Sequence, residues 1–249
     1  MNAPVVFEIS GADSIAAALR FAEENPEVHS AIPTYATAPT EFGDFSGVES
    51  NLQFLAEELA NRTGMTLQPL QMLSDPALWR ALNGRYSSAL TAIFGDWTPC
   101  AGCHLYFHLL RIPTAREANA PFVVSGERVR HGERVKPNQT ARALHAYSRV
   151  LAYAGLHLAY PVRDATDPIE IEAVLGPRWP GGSPQMECAL SGNYAGIDGC
   201  CAMDELPNAF FDEFLVPVGE QLAAMLPASS TTYETIVAEQ LRPLVKALS

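Results

Sequence analysis

Five stretches of the 249-residue chain carry side chains whose types and spacing suit chemistry. Cys100-Ala101-Gly102-Cys103 sets two thiols two residues apart, so both sulfurs can reach one metal centre. Cys188 stands far along the chain, and Cys200-Cys201 form a further adjacent pair. A closed zinc site needs four ligands, which Cys100, Cys103, Cys188 and one of Cys200, Cys201 or His104 would supply. Three cysteines alone suit a [4Fe–4S] cluster with one iron left open. Ser10-Gly11-Ala12-Asp13-Ser14 is a turn of small residues whose backbone N–H groups and hydroxyls suit a phosphate, with Asp13 able to cap a helix or to hold Mg2+. Ser125 to Lys136 concentrates Arg128, Arg130, Arg134 and Lys136 in an otherwise acidic chain. There Arg128 and Lys136 are candidates to neutralise phosphates, and Glu127 to orient an arginine or act as a base.

These residues need elements to position them. Val5–Ile9 and Ser30–Tyr35 read as strands around a helix that carries Ile15, Ala18, Leu19 and Ala22, with Asp13 or Ser14 as its cap. Ser46-Gly47-Val48-Glu49 has the pattern of a capping box, opening a helix that ends near Gly64. Met65–Leu70, Pro121–Val124 and Leu156–Val162 are further strand candidates. Residues 75–118 show no strand and read as a helical insertion interrupted at Pro99 and Pro113, with the cysteine pair on a tight turn. His104 and His108, at i and i+4, share a helix face with Arg111 one turn on, and packing is the simplest role for both histidines. Helices are expected at Ala141–Ala154, Pro168–Leu175 and Thr231–Leu248, the last bent or interrupted near Pro243. Gly192-Asn193-Tyr194 reads as a turn without chemistry.

Strands alternating with helices predict a parallel sheet with helices on both faces. Ligands of such sheets lie beyond the carboxyl ends of the strands, which points to the loops after Ile9, Val124 and Val162. Residues 1–175 form the expected α/β domain, with its helical insertion at 75–118. Residues 176–249 form a C-terminal segment with the remaining cysteines and a terminal helix. The 48% hydrophobic content describes a folded chain. The start Met1-Asn2-Ala3-Pro4 lacks the features of a secretory signal, and the expected location is the cytoplasm, where thiols stay reduced. Net charge is −12, from 16 Lys+Arg against 28 Asp+Glu, which favours a small-molecule substrate over nucleic acid. The helical middle and the terminal helix offer a surface for a homodimer.

The strand, the turn ending in Asp13-Ser14 and the following helix resemble the PP-loop of the ATP-pyrophosphatase (adenine nucleotide α-hydrolase) superfamily. The usual pattern there is Ser-Gly-Gly-x-Asp-Ser. This chain is one residue shorter and has Ala12 at a glycine position. The resemblance implies a Rossmann-like, HUP-type sheet, with ATP and Mg2+ at Ser10, Gly11, Ala12, Asp13 and Ser14, cleavage between the α and β phosphates, and an adenylated intermediate. Its iron–sulfur sulfur-transfer members pair such a loop with a CxxC and one distant cysteine, an order that Cys100, Cys103 and Cys188 match. The resemblance implies a [4Fe–4S] enzyme moving sulfur between a donor and a small molecule, with Arg128 and Lys136 stabilising charge. A zinc-containing ligase acting on a small heterocycle and a nucleotide-binding sensor without turnover are the alternatives.

Overall fold

The computed structural model describes residues 3–95, 97–181, 186–194 and 206–248. Strands β1 (Val5–Glu8), β2 (Ser30–Ala36), β4 (Thr66–Leu67), β5 (Gln71–Leu73), β6 (Phe122–Val124) and β7 (His157–Ala159) build one parallel sheet. Its order is β4-β2-β1-β6-β7, with β5 also paired to β2. Helices α1 (Ala12–Glu24), α2 (Ser46–Arg62) and α7 (Pro168–Leu175) cover one face. The other face carries α3 (Pro76–Trp79), a π-helical turn at Arg80–Gly84, α4 (Ser87–Phe94), α5 (Pro99–Glu117) and α6 (Ala141–Tyr153), joined there by α8 (Val216–Met225) and α9 (Ser230–Lys246). The fold is therefore α/β, with helices on both faces of a parallel sheet.

Side-chain alternation along the strands separates the two cores. Val5, Phe7, Ile9, Ala31, Tyr35 and Val124 pack under α1, α2 and α7. Val6, Ile32, Val123 and Leu158, one residue out of phase, pack under the larger helical layer. The C-terminal helices share that second core: Phe210, Phe214, Val218 and Leu222 join Leu105, Leu109 and Val150. At Gly219 a Cβ would stand 2.7 Å from Val150 Cγ2, so α8 crosses α6 at glycine distance.

Several expected boundaries move. The strand expected at Met65–Leu70 is two short strands on either side of Pro69, which has no N–H to give a ladder. The strand from Leu156 ends at Ala159, and Val162 lies in a turn closed by Arg163 N donating to Tyr160 O. Ser46 forms no capping box: it is the first residue of α2, and its N–H is taken by Asp44. The reciprocal box occurs instead at Asp167 and Glu170 on α7. The helix expected to break at Pro113 runs through it, because α5 is buried on both sides of that position, at Ile112, Thr114 and Ala115. Cys100 and Cys103 consequently sit in the first turn of α5, not on a tight turn before it.

A small antiparallel ribbon pairs β3 (Glu41–Phe42) with β8 (Glu187–Cys188), placing Glu41 opposite Cys188. No helix among the described residues is long and apolar enough to cross a membrane. Cys200 and Cys201 lie outside the described residues.

Candidate nucleotide and thiol site

After β1 the chain steps to β2 on one side, while β6 lies on the other, so the strand order reverses at β1. Loops leave the sheet in opposite directions at such a point and open a crevice. A cavity of about 330 Å3 occupies it. Ser10 to Ser14 line one side, and Cys100, Cys103 and Cys188 line it as well.

The phosphate-type loop is held from three directions. Ser14 Oγ accepts from Ser10 N at 2.8 Å and donates to Gly11 O at 2.8 Å, closing the turn on itself. Asn51 Nδ2 donates to Ser10 O at 2.6 Å. Gly126 lies against its back, where a Cβ would stand 2.3 Å from Ser14 N and 2.6 Å from Asp13 C. Gly11, neither Asp13 nor Ser14, is the N-cap of α1. Asp13 faces Arg128, with Nε 3.2 Å from Oδ1, and His131, with Nδ1 3.7 Å from Oδ2.

Arg128 is buried behind the loop, donating to Ala165 O at 3.2 Å and meeting His131 Nδ1 at 2.9 Å, so it braces Asp13 and does not line the cavity. Lys136 does line it. Burial lowers the Lys136 pKa, opposed by Asp13 and Glu127. Burial and the Lys136 charge hold His131 down at about 4, so this ring is neutral at pH 7.

On the thiol side, Cys100, Cys103, His104, Phe107 and Arg111 line the cavity from one stripe of α5. Thr98 caps this helix by accepting from Cys100 N, with Pro99 at the first position. Cys103 is half-buried and accepts from Trp79 Nε1 at 3.2 Å. Burial raises its pKa well above the usual thiol range. Cys188 differs: burial pushes its thiol up, but hydrogen bonds with Ser191, Thr40 and the Leu190 and Ser191 backbone outweigh it and leave its pKa below the ordinary value. Asn193 fixes that turn, its Oδ1 accepting from Cys188 N at 3.0 Å and its Nδ2 donating to Met186 O at 2.8 Å.

Glu127 stands between the two sides and is 3% exposed. Its Oε1 is 2.5 Å from His104 Nδ1 and its Oε2 3.1 Å from His108 Nε2. Although burial alone would raise the carboxyl pKa, the two histidines bring it down to about 2. Asn138 Nδ2 donates to His104 Nε2 at 2.6 Å, which leaves the ring proton on Nδ1 to donate to Glu127. Glu127 thus orients two histidines, where the sequence suggested an arginine. The histidines at i and i+4 were a visible signal for a shared acidic partner. Gly126 and Asn138 had none, because they meet Ser14 and His104 from distant segments, and Asn193 acts within its own turn through Cys188 N and Met186 O.

The thiols fit a soft metal or iron–sulfur group in kind, since three of them line one cavity beside a phosphate-type loop. Among the described residues no three His, Cys, Asp or Glu side chains already form a metal-holding group.

Fold and cavity together define a doubly wound α/β protein with a loop suited to phosphate and a thiol-bearing wall. The chain belongs to the family of the uncharacterized protein MJ0009 of Methanocaldococcus jannaschii, to which it is 30% identical over 217 residues, covering 86% of this chain and 78% of that one. No family model matches it. Among solved structures, it is similar to a 4-thiouridine synthetase in complex with RNA and ATP, with 18% identity and a TM-score of 0.45 over 99% of this chain and 52% of that chain. This chain therefore spans about half of the synthetase's length. It is also similar to the U34-tRNA thiolase NcsA of Methanococcus maripaludis with its [4Fe–4S] cluster, with 13% identity and a TM-score of 0.40 over 98% of this chain and 72% of that one. Both of these structures are of RNA-handling proteins, where the net charge of this chain had pointed to a small-molecule substrate. A total charge of −12 does not fix the charge of every surface, and RNA needs only a local cationic patch.

Proposed function

We propose that the chain is an ATP-dependent enzyme of the PP-loop type that transfers sulfur through an adenylated intermediate, with Cys100, Cys103 and Cys188 holding a [4Fe–4S] cluster. The observation that carries this reading is the shared cavity: Ser10 to Ser14 and all three thiols line it, at the point where the strand order reverses. In this reading the backbone N–H groups at the start of α1 receive phosphate oxygens. Lys136 neutralises the charge that develops as the acceptor oxygen attacks the α-phosphorus and pyrophosphate leaves. Asp13 is the residue to hold Mg2+, and Arg128 acts through Asp13 by fixing its carboxylate. AMP then leaves from the acceptor carbon as a sulfur nucleophile bonds to it. A cluster held by Cys100, Cys103 and Cys188 would supply sulfide-level sulfur beside the nucleotide.

A nucleobase carbonyl offers the oxygen that adenylation requires, so total tRNA is the acceptor to supply first. AMP and pyrophosphate in equal amounts, formed only when tRNA, ATP and sulfide are present together, are expected. Failure of the protein to bind ATP at all overturns the reading.

A further inference from the structure

Two consecutive residues meet the two sides of the cavity. Gly126 lies against Ser14 so closely that a Cβ would collide with its backbone, and Glu127 takes His104 with one carboxylate oxygen and His108 with the other. One peptide link therefore separates the support of the phosphate-type loop from the attachment of the thiol-bearing helix. His104 follows Cys103 directly, and His108 stands one turn further along the same helix.

Attachment at i and i+4 fixes a helix both along and about its axis. A one-residue rotation, about 100°, would turn the stripe of Cys100, Cys103 and Phe107 away from the cavity. Asn138 adds a third point: its side chain meets His104, and its carbonyl accepts from Tyr147 on α6 at 3.0 Å.

We infer that Glu127 is a positioning residue that fixes the thiol-bearing turn of α5 against the phosphate-type loop. This inference rests on the proposed use of the cavity. Service as a general base does not suit Glu127, because both its oxygens are committed and its carboxyl is held near 2. Touching neither the loop nor a thiol through its carboxylate, it sets the distance between nucleotide and sulfur chemistry.

The test is the rate of iodoacetamide alkylation at each cysteine, read by peptide mass spectrometry, with ATP affinity measured in parallel. Glu127→Gln keeps the size of the side chain and removes the charge that holds two ring N–H groups. Cys103, half-buried in the native protein with its sulfur held by Trp79 Nε1, is expected to react about tenfold faster or more in this variant. Cys188, which sits on the separate ribbon, should stay within about twofold and the ATP dissociation constant within about threefold. If E127Q does not fold, His104→Gln, at a partly exposed position, is expected to show the same split. An unchanged Cys103 rate overturns the inference, and so does a parallel change of Cys103, Cys188 and ATP affinity, which would mark general loosening. Alkylation needs neither ATP nor a cluster, so the split between Cys103 and Cys188 decides the role of Glu127 even if the native protein binds no nucleotide.

Discussion

The two sides of the cavity are built in opposite ways. The phosphate-type side is five consecutive residues closed by their own hydrogen bonds, with Asn51 and Gly126 as outside supports. The thiol side is assembled from two separate segments, the first turn of α5 and a two-residue strand that reaches Cys188. The same contrast appears in the chemistry of the thiols. Desolvation raises the Cys103 thiol pKa, whereas hydrogen bonds around Cys188 bring its thiol below the ordinary value. A loop closed within one stretch is stable as soon as its strand and helix form. A thiol set that spans the chain is only as well placed as the contacts joining its segments.

The largest expected effect separates the two sides outright. Cys100→Ala should lose all stoichiometric metal while its ATP dissociation constant stays within about threefold of the native value. Metal analysis beside a nucleotide titration checks this, and native metal content in the variant would remove Cys100 from the ligand set.

The link between the sides should show in acid. The Glu127 carboxyl has a folded pKa of about 2 against an ordinary 4.5, so its contribution is fully present above about pH 4.5 and is lost as pH falls through about 2. The difference corresponds to about 3 kcal/mol. Urea unfolding of native protein and E127Q over that range should converge as pH falls, and a constant gap between the two curves would contradict the pairing of the carboxylate with the two rings.

Gly126→Ala attacks the other end of the same link. The 2.3 Å approach to Ser14 leaves no room for a methyl group, and the loop must shift. ATP binding should weaken by about tenfold to a hundredfold, or about 2 kcal/mol, with the metal retained. Unaltered ATP affinity would show that the loop is an ordinary strand-to-helix turn. The smallest effect is expected at Thr98→Ala, which removes the cap of α5 and should cost about 1 kcal/mol in thermal unfolding.

The alternating strands, the helices at Ser46–Arg62, Ala141–Tyr153 and Pro168–Leu175, and the parallel sheet were legible because each depends on local periodicity. Pro113 misled because burial of α5 outweighs the lost hydrogen bond. The loop at Ser10 was legible for the reason that makes it stable: its supports are mostly its own residues. Arg128 was read as a phosphate partner from its charge, yet Asp13 and Ala165 O claim it from segments far away in sequence. The i, i+4 histidines signalled an acidic partner, but that this partner is Glu127 depends on contacts 23 and 19 residues apart. Local closure can be read from a chain, whereas contacts between remote segments cannot.

The most direct test is the colour and elemental content of anaerobically purified protein, measured for the native chain and for Cys188→Ala. Brown protein absorbing near ~400 nm, with iron and acid-labile sulfide in cluster stoichiometry that C188A loses, is the predicted result. Colourless native protein, or a C188A variant that keeps the full iron content, would contradict the joining of both segments at one centre.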